Sequence, residues 1–332
     1  MGLTTVQRDC AACDESTDIQ TRTELSVCFR YISDGEATEA FFCLQQAKAT
    51  DSKTVSDAIL TLVKEHKIPL CNIYWIAALD GAANMATLRQ EMTNAHYIHC
   101  RNHLLHLAAA NIANDFKTLR SLFSSFNSLW KFFHNLPKKL GYLDEIRSIL
   151  DDPVLQLVRA GDTRWTSNYR ALRAIRVSLR AIIYALQKIH AASGDLSSEA
   201  GGLLLVYQDK QSLLLIFAIE QILMPLNTLT LSLQSPKLSL SELPIKIKMA
   251  TDRLHEIEAD RNTYVALFED FMTQEGFPTT GSEVNYSNVH EQIVVKYIQS
   301  LCRNMEQRFG DSIGQISVVQ QQYLTQPVLS WQ

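Results

Sequence analysis

The stretch that decides the fold runs from Ile73 to His106 and reads IYWIAALDGAANMATLRQEMTNAHYIHCRNHLLH. An apolar run of strand length ends at Asp80-Gly81, a helix-compatible segment follows, and a second short apolar run ends at Cys100. A buried strand accommodates a carboxylate at its last residue, next to a crevice at the sheet edge, better than in its middle. Asp80 is therefore a candidate site residue. The alternative is that Asp80-Gly81 forms a turn or an N-cap for the next helix.

The segment before this stretch predicts a β-hairpin. Residues Glu24 to Ile32 alternate between apolar and polar side chains, as in a half-buried strand. Asp34-Gly35 supplies the positive φ angles of a tight turn, so residues 37–45 should return as an antiparallel partner. Ahead of the hairpin, Cys10 to Cys13 predicts a short, weak strand, and residues 14–18 are polar and turn-like.

The remaining elements of the first part follow from periodicity. We expect a helix from residue 51 or 52 to before Pro69, a strand at 73–79, a helix at 82–92 and a short strand at Tyr97-Ile98. This order predicts an α/β fold with a ribonuclease-H-like mixed sheet, in which the first and fourth strands are neighbours. Asp14, after the first strand, then becomes the partner of Asp80.

From Leu104 onward, apolar residues recur at helical spacing almost throughout. We therefore predict two domains, a sheet-containing part at residues 1–115 and an all-α lobe at residues 116–332. The apolar stripes predicted to form the core of the lobe are Leu119, Leu122, Phe123, Phe126, Leu129, Trp130 and Phe133, and Leu172, Ile175, Leu179, Ile182 and Ile183. Loops are expected at Pro137, Asp152-Pro153, Ser193-Gly194, Gly201-Gly202 and 276–281.

Composition limits the function classes. The chain has 332 residues, a formal charge of −4 and a pI of about 6.1, so a nucleic-acid-binding role would have to depend on a local basic patch. Seven cysteines, an odd number, suit a reducing compartment. We expect no membrane span, since the most apolar stretch, Leu213 to Leu226, contains Glu220 and Gln221.

A zinc site is an alternative use of two cysteine pairs. Cys10 with Cys13 and Cys100 with His103 together could supply four ligands. The first pair falls where a strand is expected, which makes it hard to direct both thiols to one metal.

A basic segment lies between Arg159 and Arg180. Only Asp162 opposes its arginines, and in a continuous helix the last four would lie within one third of a turn. The two interpretations are a solvated helix face and a surface for phosphate groups. The residues of this basic segment are Arg164, Trp165, Arg170, Arg173, Arg176 and Arg180.

Five segments, in this order, resemble the hAT superfamily of DNA transposases, and specifically its vertebrate-type relatives fused to zinc fingers. Each segment alone is weakly diagnostic, whereas five in the same order form a specific pattern. The segments are Asp14 to Asp18, Leu25 to Tyr31, Asp80 to Met85, Cys100 to Leu105, and Thr163 to Ser167.

The resemblance implies roles for particular residues. Asp14 and Asp80 correspond to two of the three metal-binding carboxylates, which would hold Mg²⁺ for phosphodiester transfer. Cys100 and His103 are implied to be structural or close to the substrate. The Arg-Trp pair corresponds to Arg164 and Trp165, with Trp165 implied to stack on a base turned out of the duplex, and the nearby arginines would then suit the DNA backbone.

The family's third carboxylate is a Glu in a C-terminal segment that also builds the dimer, and we find no such segment before Gln332. Glu220, Glu256 and Glu258 lack its sequence context. The expectation is a transposase-derived nuclear protein that binds DNA but does not cleave or join it with Mg²⁺ or Mn²⁺, with its oligomeric state left open. The alternative is a nuclear interaction or regulatory protein that binds protein partners through the helical lobe.

Overall fold

A computed structural model describes residues 7–17, 23–33, 36–46, 52–70, 73–78, 86–92, 96–160, 165–192, 195–235, 238, 242–273, 279–281 and 283–325. The strands are β1 (Gln7–Thr17), β2 (Thr23–Ser33), β3 (Glu36–Gln46), β4 (Ile73–Ala78) and β5 (His96–His99). The helices of the first part and the following segment are α1 (Ser52–Glu65), α2 (Ala86–Glu91), α3 (Arg101–Asp115), α4 (Lys117–His134), α5 (Pro137–Leu150), α6 (Trp165–Val177) and α7 (Leu179–Ala191). The later helices are α8 (Asp195–Tyr207), α9 (Lys210–Leu233), α10 (Leu243–Ala259), α11 (Asn262–Thr273), α12 (Tyr286–Val289), a π-helix (His290–Val295) and α13 (Lys296–Thr325).

The five strands form one mixed sheet in the order β3-β2-β1-β4-β5. β1, β2 and β3 pair antiparallel, whereas β1 with β4 and β4 with β5 pair parallel. The predicted hairpin is confirmed, since Ser33 and Glu36 face each other across its two-residue connection. The predicted adjacency of the first and fourth strands is also observed.

The first strand is longer than the sequence predicts. Residues 14–17, expected to form a turn, continue β1 and pair with residues 23–26 of β2. β1 is the central strand and has a neighbour on each side. Among the described residues, the pairing of β1 with β4 ends at Cys13 and Ala78, so residues 14–17 pair with β2. Backbone hydrogen bonds to β2 thus outweigh the weak strand propensity of these polar residues.

A small core lies on the sheet beneath α1 and α2. Val27 and Phe29 of β2 are buried with Ile73 of β4, in agreement with the predicted alternation of β2. α1 contributes a stripe that includes Ile59 and Val63, and α2 adds Leu88. The described part of α2 starts at Ala86, and residues 79–85 lie outside the described residues.

The helical stripes predicted to form the core are largely confirmed. All five apolar residues predicted on α6 and α7 are buried, as are Leu119, Leu122, Phe126, Leu129 and Phe133 of α4. Phe123 and Trp130 are only half-buried, and Phe132 is buried in their place. Trp130 instead stacks on His134 with ring centroids 4.6 Å apart.

The loop predicted at Gly201-Gly202 is wrong, because both glycines lie inside α8. The neighbour of Gly201 is the imidazole of His190, whose Nδ1 lies 2.7 Å from the carbonyl oxygen of Ser197. A Cβ atom on Gly201 would lie 2.8 Å from Cε1 of His190, whereas a Cβ on Gly202 would have no heavy atom within 4 Å. Gly201 therefore provides space for a packed ring rather than a chain turn.

α9 is the one described helix whose length and composition would suffice to cross a membrane. However, 78% of its most apolar window is buried inside the protein. A helix in the core of a protein would have the same apolar composition.

The chain divides into two compact units. The first comprises residues 1–104, 233–240 and 309–332, and the second comprises residues 105–232 and 241–308. The change from one unit to the other falls within α3, whereas the sequence places the boundary after residue 115, at the break between α3 and α4.

Candidate functional site

Three parallel strands bring several predicted site positions to one end of the sheet. Ala78, the last residue of β4, is level with Cys13 of β1 and with His99 of β5. Asp14 and Cys100 each follow directly after these partners. Their backbone positions therefore share the edge at which β4 ends, as the order of elements predicts.

The two predicted metal-binding carboxylates are placed only in part. The backbone of Asp14 lies in β1 opposite Ser26 of β2, and its side chain lies outside the described residues. Asp80 lies outside the described residues altogether. The residues that are described contain no group of three or more His, Cys, Asp or Glu side chains able to hold a metal ion. Magnesium binding by Asp14 and Asp80 thus stays a prediction.

Cys100 and His103 lie at the start of α3. Both are half-buried, Cys100 is a free thiol, and its carbonyl oxygen accepts a hydrogen bond of 2.9 Å from the N–H of Leu104. Cys10 and Cys13 of the alternative zinc site are positions three apart within β1. A four-ligand zinc site remains an untested alternative, because the side chains of this strand lie outside the described residues.

Arg101, between these two residues, is a feature that the sequence pattern did not single out. Its Nε and Nη1 atoms are buried and have no hydrogen-bond partner among the described residues. Burial lowers the pKa of Arg101 to about 10, although the nearby Cys100 thiol acts in the opposite direction. Arg101 begins α3, so its partly desolvated guanidinium group belongs to the end of the helix at which the dipole is positive. The first turn of α3 holds no acidic residue that could offset this charge.

The second group of predicted site residues lies on α6, in the helical unit. Arg170 and Arg173 are exposed, and α6 contains no acidic residue. Arg164 lies outside the described residues, and Trp165 begins α6 with its side chain outside them. The exposed guanidinium groups of α6 are therefore those of Arg170 and Arg173.

The predicted stripe of four arginines is not uniform. Ser178 interrupts the helix, so Arg180 belongs to α7, where it is half-buried. Arg176 forms an ion pair through Nε with Oε2 of Glu220 on α9. Its guanidinium carbon also lies 5.8 Å from the centroid of the Phe217 ring. α6 thus carries two exposed arginines, Arg170 and Arg173, and one arginine, Arg176, that is paired and partly buried.

Glu220, the partner of Arg176, is a buried carboxylate. Its side chain is 8% exposed, and burial raises its pKa even though the positive charges of Arg176 and Arg173 act in the opposite direction. The sequence gives no local signal for this pair, since its partners are far apart in the chain and Glu220 reads as an interruption of an apolar run.

Arg147 of α5 connects the segments on both sides of α6. It is 2% exposed, and its Nη2 donates to the carbonyl oxygen of Leu155 at 2.7 Å and to Oγ of Ser178 at 3.0 Å. Its Nη1 lies 3.2 Å from Oδ1 of Asp144. Burial lowers the pKa of Arg147, opposed by the charges of Asp144 and Asp152. One guanidinium thus anchors the loop before α6 and the break after it.

Comparison with known proteins gives a family match and likenesses to solved structures. The chain is similar to a chain in a solved structure described as "Drosophila P element transposase strand transfer complex", with 12% identity and a TM-score of 0.26. The alignment covers 91% of this chain and 66% of that chain. Residues 10–89, which include most of β1 and all of β2 to β4, match the model of the family DUF4371, described as "ZMYM1/FAM200, RNase-like domain".

Proposed function

We propose that the chain is a transposase-derived DNA-binding protein of the hAT type, which contacts the phosphate backbone through α6. The observation that carries this proposal is the pair of exposed guanidinium groups of Arg170 and Arg173 on a helix without acidic residues. Guanidinium groups suit phosphate oxygens because they donate two parallel hydrogen bonds. The proposed role implies a nuclear location.

Two further observations support the ancestry in this proposal. The RNase-like family model matches residues 10–89, which contain three of the five hAT-like segments. The strand order, with three antiparallel strands followed by two parallel ones, is the order expected of a ribonuclease-H-like sheet. The proposed contribution of Trp165 is to stack on a base, next to the backbone contacts of the arginines.

The proposal is tested by the binding of a short fluorescein-labelled duplex, followed by fluorescence anisotropy at fixed ionic strength. We expect Arg170→Ala combined with Arg173→Ala to weaken binding about tenfold, or about 0.7 kcal/mol for each guanidinium. Arg303→Ala is the matched control, because Arg303 is an exposed arginine on α13. Equal affinities of the wild-type protein and the double variant would disprove the role of α6.

A second candidate function, binding of a protein partner, is favoured by an exposed apolar pair on α10. Ile245 and Met249 lie one helical turn apart, and each is 60% exposed. Such a pair suits an apolar partner surface. A stable protein partner lost on Ile245→Asp and Met249→Asp, together with no DNA binding by the wild-type protein, would favour this function over the first.

A further inference from the structure

Arg176 differs from Arg170 and Arg173 because α9 holds one edge of its guanidinium. Glu220 pairs with its Nε atom, and the ring of Phe217 lies 5.8 Å from its guanidinium carbon. Both partners lie on α9, one turn apart. The guanidinium is therefore held by charge at its edge and by an aromatic ring at its side.

Among the described residues, the side-chain contacts of Arg176 lie at its Nε edge and at the face of its guanidinium. The side chain as a whole is 33% exposed. Nη1 and Nη2 are the terminal nitrogens of this partly exposed side chain. These two nitrogens carry four N–H bonds that can still be donated to an anion.

We propose that Glu220 is a positioning residue, which holds Arg176 by its Nε edge and presents its terminal nitrogens, beside Arg173, to a phosphate of the DNA backbone. This inference rests on the DNA-binding function proposed above. A free arginine loses side-chain entropy when it binds, whereas a guanidinium that is already held loses less of it. Glu220 thus contributes to affinity although it carries the same sign of charge as DNA.

A purely electrostatic role for Glu220 predicts a different result. In that case the carboxylate only weakens the positive field of α6, and any neutral substitution should tighten binding. A positioning role requires an acceptor at this place but not a negative charge. Two neutral variants of similar size separate the roles, because glutamine keeps an acceptor oxygen and methionine does not.

The experiment compares Glu220→Met, Glu220→Gln and the wild-type protein in the same duplex-binding measurement. We expect Glu220→Met to bind about five- to tenfold more weakly, since Arg176 is released. We expect Glu220→Gln to bind about twofold more tightly, since the held geometry remains and a repulsive charge is gone. In the Arg176→Ala background, Glu220→Met should have no further effect.

Thermal unfolding of each variant distinguishes lost positioning from lost folding, and we expect Glu220→Met to unfold no earlier than the wild-type protein. Equal or tighter binding by Glu220→Met would overturn the inference. If the wild-type protein binds and Arg173→Ala weakens it, that result leaves the proposed function intact. No binding by the wild-type protein would overturn both.

Discussion

Replacing Arg176 by methionine removes the ion-pair partner of a buried carboxylate, and its cost should depend on pH. Glu220 is 8% exposed, and this change removes the larger of the two positive charges, those of Arg176 and Arg173, that lower its pKa. The carboxyl group then takes up a proton rather than remain charged in an apolar surrounding. For a carboxyl group with an ordinary pKa of 4.5, protonation at pH 7 costs about 3.4 kcal/mol, at 1.36 kcal/mol per pH unit.

This cost sets the expected magnitude. Arg176→Met should lower the free energy of unfolding by about 3 kcal/mol at pH 7 and by about 1 kcal/mol at pH 5, where protonation is nearly free. The sign follows from the raised pKa of Glu220, because the folded state then binds the proton more tightly than the unfolded state. Stability is therefore lost as the pH rises through the folded-state pKa, and without Arg176 this loss becomes larger.

Urea unfolding of matched variants at both pH values checks this reasoning. Glu220→Met should change the free energy of unfolding by less than about 1 kcal/mol, because an apolar side chain fits the site and Arg176, one third exposed, can be hydrated. Arg173→Met, an exposed control on the same helix, should change it by less than about 0.5 kcal/mol. A penalty for Arg176→Met that is the same at pH 5 and pH 7, or equal to that of Glu220→Met, would refute the reasoning.

Two neighbouring glycines and one buried arginine provide further tests by chemical denaturation. Gly201→Ala should destabilise the protein by about 1–2 kcal/mol, because its Cβ would lie 2.8 Å from the His190 ring, and His190→Ala should relieve most of this cost. Gly202→Ala, in the same helix with open space around it, should stabilise the protein by about 0.5–1 kcal/mol. A loss of stability similar to that caused by Gly201→Ala would show that contact with His190 is not the reason for the glycine. Arg147→Met should lower the free energy of unfolding by about 2–4 kcal/mol, because it leaves the Leu155 carbonyl and the Ser178 hydroxyl without their donor. Ser178→Ala should lower it by about 1 kcal/mol. Equal losses for the two variants would count against the role of Arg147 in joining these two groups.

Elements with a strong local pattern were predicted well from the sequence. The hairpin follows from alternation and the Asp34-Gly35 turn, and α1 follows from apolar residues at helical spacing. β1 shows the limit of this approach. Its polar second half is a strand because it pairs with β2, and that information is not local.

The candidate site was predicted less completely, for a similar reason. The exposure of Arg170 and Arg173 agrees with a basic helix face, but the pairing of Arg176 depends on Glu220, which is distant in sequence. Gly201 was misread as a loop marker because its reason for being small is a ring contributed by another helix. Contacts between segments that are distant in sequence determine the pairing of Arg176 and the need for glycine at position 201. Residue spacing along the chain does not predict such contacts.

The salt dependence of DNA binding tests the central claim, that arginines of α6 contact phosphates, most directly. The measurement is the slope of the logarithm of the binding constant against the logarithm of salt concentration, for the wild-type protein, Arg173→Ala and the control Arg303→Ala. We expect Arg173→Ala to reduce the magnitude of the slope by about 1 and Arg303→Ala to leave it unchanged. If Arg173→Ala leaves the slope unchanged, or if Arg303→Ala reduces it equally, the claim that arginines of α6 contact phosphates is wrong.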